Sequence, residues 1–295
     1  MTNQIDTALV IEFSNDVHVK AQQMKTRMRP YSMEKMISGQ DYYYDDIGSL
    51  EAVEIVTRHQ KTEGQDIVHG RRKIRMREFR ATIYLDKKDE LETLIDPQRQ
   101  YAEAVARALY RQTDRVINNA AFAAVLTGKD ASTSISFATD GGATVSATSG
   151  TTYEKLLEGI QNFIDNEVGT EMEEKLYLTI TGEEHTDLMS ETELTSGDFS
   201  RQYSIDKGKM INAAGFDLIH FGKNAPVPIL TVASSVRDCI MGSSRGTCLG
   251  ISQDLNIEVD KRPDLNNLTQ VQASMFMGAV RTEGKLIQKF QTTVS

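Results

Sequence analysis

The chain has 295 residues, of which 39% are hydrophobic and 25% charged, and it carries a net charge of −9. That size buries a sizeable core as one large domain or two modest ones, and the composition is that of a folded soluble protein. The opening MTNQIDTALVIEFSNDV lacks the basic flank and long apolar core of a signal peptide, and no run approaches the roughly 18 apolar residues that cross a membrane.

Residues 1–46 read as an arm. A short helix is expected from Asn15, a candidate N-cap, to about Met28, stopped at Pro30. Next comes a tyrosine cluster flanked by acids: Asp41, Tyr42, Tyr43, Tyr44, Asp45 and Asp46. Three adjacent tyrosines cannot all face one way, so some contact another surface or stay exposed. From Leu50 the chain reads as strand through Val53, Ile55 and Val56. Residues 60–70, with Gly64 and Gly70, read as a hairpin tip. The return strand carries Ile74 and Met76, then Phe79, Ala81, Ile83 and Leu85. Its apolar phase shifts between Met76 and Phe79, the signature of a bulge or bend. Residues 47–90 are therefore expected to form a long projecting hairpin, which needs a neighbour for stability. A short acidic helix and a hinge at Asp96-Pro97 follow.

A helix over about 98–126 is predicted next, capped by Asp96 with Pro97 in its first turn. Tyr101, Val105, Leu109, Gln112, Val116, Ala120 and Ala123 trace one face, and Arg107, Arg111 and Arg115 another. At 1.5 Å per residue the rod is roughly 40 Å long. Residues 131–150 hold two short polar strands around the turn Asp140-Gly141-Gly142. A helix from Tyr153 to Val168, a buried strand over 176–180 and a short acidic helix near 183–189 come next. The remainder is mostly β: 216–221, 229–232, 239–241, 256–259, 271–281 and 286–290, the last pair beside the long helix.

Charge is unevenly spread. Arg71, Arg72, Lys73, Arg75, Arg77 and Arg80 face one nearby acid, Glu78, whereas residues 151–206 hold fourteen acids against Lys155, Lys175 and Arg201. Opposite patches on one subunit favour head-to-tail association of identical copies. The basic strand has three readings: pairing with acids of a neighbouring subunit, a solvated face, or contact with DNA. Pairing is favoured, because arginine's planar fork suits carboxylates and the chain as a whole is acidic. The Arg107/Arg111/Arg115 stripe is either a contact or the wet side of its helix, and Asp114 pairs either with a neighbour or with Arg111.

Enzyme signals are weak. Gly242-Ser243-Ser244-Arg245-Gly246 matches the hydrolase pattern G-x-S-x-G, but hydrolases of that type place their histidine after the serine. His18, His59, His69, His185 and His220 all precede Ser244. Four Gly-Lys pairs lack the Ser or Thr of a phosphate loop. No histidine grouping suggests a metal, and Cys239 and Cys248 read as buried, inert thiols of a reducing cytoplasm. No catalytic residue, cofactor or metal is expected.

His69-Gly-Arg71-Arg72, Ile83-Tyr-Leu-Asp86 with Asp89, Ile95-Asp-Pro97 with Tyr101, and Arg111-Gln-Thr-Asp114 together resemble tailed-bacteriophage major capsid proteins of the Hong Kong-type fold. A weaker likeness lies in Gln272 to Arg281. The specific pattern spans about a quarter of the chain, and the order of parts nearly all of it. The resemblance implies an α+β fold: N-terminal arm (1–46), extended β-hairpin loop (47–90), peripheral domain on a spine helix (91–150 and 268–295), and mixed α/β axial domain (151–267). It implies pentamers and hexamers closing into an icosahedral shell around double-stranded DNA, bound without sequence specificity, in a virion assembled in the bacterial cytoplasm. The extended loop would lie across a neighbouring subunit, with Tyr42 to Asp46 and the spine arginines also at contacts. The sequence shows no charge-rich helical N-terminal segment of the kind that serves as a fused scaffold, so a separate scaffolding protein and a portal are expected, with room for a decoration protein. Two alternatives stand: an encapsulin-like cage holding cargo enzymes, and a soluble serine hydrolase using Ser244.

Overall fold

The computed structural model describes residues 22–58, 61, 64–85, 98–147, 150–169, 174–191, 205–206, 209–225 and 228–294. Strands β1 (Met33–Met36), β2 (Asp41–Ile47), β3 (His69–Arg75) and β4 (Arg77–Leu85) precede helix α1 (Gln98–Phe122). Short strands β5 (Val125–Thr127), β6 (Thr133–Ile135) and β7 (Ala143–Ala147) lead to helix α2 (Tyr153–Asp165), β8 (Leu176–Ile180) and helix α3 (Gly182–Ser190). The later strands are β9 (Ile205–Asp206), β10 (Lys209–Met210), β11 (Asn212–Ala213), β12 (Phe216–His220), β13 (Thr231–Ala233), β14 (Val236–Ser243), β15 (Thr247–Arg262), β16 (Leu268–Arg281) and β17 (Ile287–Thr293).

These elements fall into two compact units. The smaller takes in the described parts of 1–25, 78–112 and 253–275; the larger takes in those of 26–77, 113–252 and 276–295. The larger is built on a seven-stranded sheet of order β11-β12-β8-β14-β17-β7, with β13 also on β14. It draws strands from both the axial segment expected at 151–267 and the peripheral one expected at 91–150 with 268–295. Strands β12 and β8 run parallel, as do β17 and β7, whereas β14 is antiparallel to both β8 and β17. Both later helices cover one face. Gly159 of α2 lets that helix approach Met241, whose Sδ would stand 2.2 Å from an added Cβ. Glu184 of α3 accepts the Thr181 N–H (2.8 Å) and so caps its own helix. The same Glu184 bonds Arg237 and Thr292 on the sheet. Tyr177 and Lys289 point to the opposite face, toward Tyr31 and the Phe122 ring.

A second sheet, β2-β3-β5-β6, corrects the expected hairpin. The partner of β3 is the tyrosine strand β2, in the register Tyr43↔Lys73 and Asp45↔Arg71. Residues 49–56 form no strand. The reason lies in periodicity: Tyr42 and Tyr44 alternate inward and pack on a core of Ile37, Ile74, Met76, Val125, Cys248 and Val280. Ala52-Val53 and Ile55-Val56 break that alternation. The phase shift at Met76 marks a change of sheet rather than a bulge. Met76 donates its N–H to Gln40 O, and β4 leaves to join the order β1-β15-β16-β4. Gly278 permits the crossing, since its Cβ would meet Arg75 O at 2.4 Å.

The long helix buries Val105, Leu109, Thr113, Ile117 and Ala121 along one line. It ends at Phe122, earlier than expected, because Val125–Thr127 enter the second sheet against Ile135, Thr133 and Arg72. Strands β6 and β7 flank the Asp140 turn but pair with β5 and β17, not with each other. Residues 22–28 are not helical, and Arg29–Tyr31 make a single 3-10 turn. Asn15, the acidic segment near 86–95 and the Asp96-Pro97 hinge lie outside the described residues.

Gly284 sits against the Asp140 turn, and an added Cβ would stand 2.2 Å from Asp140 O. A backbone atom cannot yield as a side chain does. Gly284→Ala is expected to lower unfolding free energy by about 1–3 kcal/mol, read as a shifted urea midpoint.

Candidate self-assembly surface

Strand β3 splits its cations by parity. Arg71, Lys73 and Arg75 alternate with the buried Arg72 and Ile74. On the outer side the ladder of β2 answers them. Arg71 donates Nε to Asp45 Oδ1 (2.6 Å) and Nη2 to Oδ2 (3.2 Å). Lys73 Nζ reaches Asp41 Oδ2 at 2.8 Å. Tyr43 lies beneath both cations, 5.4 Å from the Arg71 guanidinium and 5.9 Å from Lys73 Nζ. The hydrogen bond from Arg71 holds the Asp45 carboxyl below its usual range. The cationic run and the acid-tyrosine run, both expected to meet other copies, thus satisfy one another within the chain. Arg80 likewise pairs with Glu78 at 2.6 Å. Arg75 and Arg77 lie exposed.

Arg72 is not at the surface. It is 8% exposed and grips Asp140 with two bonds of 2.8 Å, Nη1 to Oδ2 and Nη2 to Oδ1. Arg281, fully buried, adds Nε to Asp140 Oδ2 at 2.8 Å. Its Nη1 donates to Ala121 O (2.8 Å) and Ala123 O (3.0 Å), carbonyls left without a helical partner where α1 ends. The Phe137 ring covers the Arg281 guanidinium at 5.2 Å. Asp140 and Arg281 were not singled out from the sequence. The signal that could have found Arg281 is its parity, since it follows Val271, Ala273, Met275 and Met277 on the buried side of β16.

The spine arginines differ from one another. Arg107 pairs with Glu103 one turn earlier at 3.1 Å. Arg111 donates to Gln22 Oε1 at 2.7 Å, and burial pushes its pKa down. Arg115 is half-buried. Asp114, fully buried, accepts the backbone N–H groups of Arg27 (3.0 Å) and Met28 (3.1 Å), pinning the chain that enters from the arm.

The exposed feature that remains is apolar. Ile47, Leu50, Val53, Ile55, Val56 and Val68 are 53–78% exposed on a stretch of about twenty residues. Single exposed apolar residues are ordinary, but six along one stretch of chain point to a surface meant to be covered.

Ser244 occupies the turn between β14 and β15, where its Oγ accepts the Lys175 N–H at 3.4 Å. A hydrolase elbow joins a strand to a helix; this turn joins two strands. Among the described residues no group of three metal-ligating side chains occurs, and no helix is long and apolar enough to cross a membrane.

A family model described as phage capsid protein matches residues 5–291. The chain belongs to the phage capsid protein family. The capsid of cyanophage P-SCSP1u is similar in fold, with a TM-score of 0.74 at 14% identity over 100% of this chain and 96% of that one. The head of Helicobacter pylori bacteriophage KHP40 gives 0.73 at 9% identity, covering 98% of each chain. A chain from Mycobacterium phage Che8 gives 0.69 at 13% identity, covering 96% and 97%. No curated protein sequence matches the chain. The chain is a phage capsid protein, with an α+β capsid fold, a structural role and a place in the virion shell that it builds with copies of itself.

Two half-buried groups, Asp140 and His220, are expected to make the capsid subunit sensitive to acid. Burial pushes the Asp140 carboxyl up, but hydrogen bonds and charge from Arg72 and Arg281 outweigh it and hold the carboxyl below its ordinary 3.8. Its contribution is present above that value and is lost as pH falls through the depressed folded pKa. His220, pushed down to about 4 by burial and then by His185, Lys209 and Arg27, stays neutral where an unfolded histidine, with its ordinary 6.5, takes up a proton. Stability is therefore full above pH 6.5 and declines toward pH 4. Thermal unfolding of the subunit should show both slopes. Asp140→Asn is expected to cost about 3–5 kcal/mol by stranding two buried guanidiniums and to flatten the lower slope. His220→Gln is expected to flatten the upper one.

Proposed function

We propose that this subunit forms the pentamers and hexamers of an icosahedral head around double-stranded DNA, and that residues 47–68 reach across a neighbouring subunit as an apolar grip. The supporting observation is the exposed group Ile47, Leu50, Val53, Ile55, Val56 and Val68, set beside a cationic strand whose Arg71, Arg72 and Lys73 are engaged inside the chain. Burying such side chains contributes about 1.5–3 kcal/mol each, whereas exposed ion pairs give about 0–1. The grip is hydrophobic. Arg75, Arg77, Tyr43, Asp45, Asp46 and the spine arginines then act at its rim, setting register more than strength, while Tyr42 and Tyr44 hold the strand that carries them.

In this reading residues 1–46 are the arm, 47–90 the extended loop, 91–150 with 268–295 the peripheral domain and 151–267 the axial domain. Overlapping loops bury more than the roughly 1,200–2,000 Å² of a standard interface. The packaged genome is held without sequence readout. A separate scaffolding protein and a portal complete the head, and decoration proteins can bind outside.

The test is a double substitution, Val53→Asp with Ile55→Asp, in the full chain. A subunit with wild-type circular dichroism that forms no shells by negative-stain electron microscopy is the expected outcome. Intact shells would overturn the apolar grip. Shells of the unaltered chain that co-purify with an enzyme, and need no scaffold, would instead favour a cargo cage. Arg72→Glu offers a contrast: it should unfold the subunit rather than block assembly.

A further inference from the structure

Helix α2 carries more apolar surface than its own core uses. Leu156, Gly159 and Phe163 are fully buried on the sheet. A second line, Tyr153, Leu157, Ile160 and Ile164, recurs at spacings of four, three and four, so these side chains form a straight seam beside the buried face. Leu157 is 44% and Ile164 57% exposed, while Tyr153 and Ile160 are half-buried. A surface helix needs only one apolar stripe facing its core. Here the stripe is wider than the sheet covers, and its outer edge, at Leu157 and Ile164, is bordered by the exposed acids Glu154, Glu158 and Asp165. Lys155 offsets one of them, reaching Glu158 at 2.7 Å.

Arg71, Arg72 and Lys73 of β3 are engaged by Asp45, Asp140 and Asp41 within the chain, and the exposed Arg75 of that strand has no exposed apolar side chain adjoining it in the sequence. Another cationic corner is available on the same chain. Lys209 is exposed beside Ile211, which is 46% exposed, and Arg27 lies exposed nearby against the Phe221 ring and His220 O. His220 senses this corner: after burial, its proton affinity is reduced by His185, Lys209 and Arg27. Asp206 stands opposite Lys209 in the β9–β10 pair, so Arg27 carries much of the positive charge here; an apolar seam edged with acids and an apolar residue between two bases are complementary.

We propose that the α2 seam of one subunit docks on the Lys209–Ile211 corner of a second copy of this chain, repeating around each ring. The inference rests on the self-assembly reading above and names the surface that reading leaves open. Two different patches meet, so the contact is head-to-tail and closes when the rotation closes. It is separate from the apolar loop grip.

Cysteine footprinting tests it, since Cys239 and Cys248 are buried and give little background. In the full-length Ile164→Cys chain, maleimide labelling of the unassembled subunit should be rapid and should slow at least about tenfold in the shell. Equal rates in the two states would overturn the seam. For the occupant, Glu158→Lys and Lys209→Glu should each lower shell yield, and their combination should restore it. Failure of that restoration, with Ile164 still protected, would overturn the Lys209 corner. An unaltered chain that forms no shells even when co-expressed with its scaffolding protein would sink the self-assembly reading itself, a result distinct from shells in which Ile164 remains open.

Discussion

The larger unit depends on one carboxylate shared between two buried guanidiniums. Asp140 sits on a turn between β6 and β7, Arg72 on β3, and Arg281 at the end of β16, next to the C-terminus of α1. No two of these elements are neighbours in sequence, yet the three side chains and two helix-terminal carbonyls fix them in one arrangement. A buried pair of this kind adds little net stability compared with a hydrophobic replacement, because desolvation offsets attraction. What it supplies is selectivity. Any register that strands one of the two guanidiniums is costly, so β3 is held to one alignment.

That constraint explains why the charges of β3 divide. The strand has its inner arginine committed to Asp140, which leaves its outer cations facing β2, whose acids and Tyr43 lie opposite them. Electrostatics that the linear sequence offers to other subunits is thereby used within the chain. In the proposed apolar grip, cohesion between subunits falls to apolar groups that the chain leaves exposed. Folding and assembly then draw on different side chains, and a subunit can be complete before it meets a neighbour.

Much of this was legible in the sequence. The long helix, helix 153–165, the buried strand 176–180 and the β-rich second half follow from periodicity, and the order of parts carried the capsid likeness. The helix ended early because Val125 and Thr127 found strand partners, a tertiary effect that local pattern does not report. The hairpin partner was misassigned because Leu50, Val53, Ile55 and Val56 read as strand by composition, while Tyr42 and Tyr44 have the alternation that packing requires. Arg72 looked like one more surface cation; its parity with Ile74 placed it inside. Asp140 gave no such sign, since a turn aspartate is ordinary until its partners arrive from 68 and 141 residues away.

Strand β2 ends its sheet, with β3 on one side and, among the described residues, no strand on the other. An open edge invites pairing with any extended chain, which is hazardous for a protein that accumulates densely before its shells close. Here that rim is lined by Asp41, Asp45, Arg71 and Lys73, whose hydrated, mutually neutralising charges make a stray strand a poor guest. The same side chains that hold β2 to β3 thus make the open edge a poor template for a stray strand.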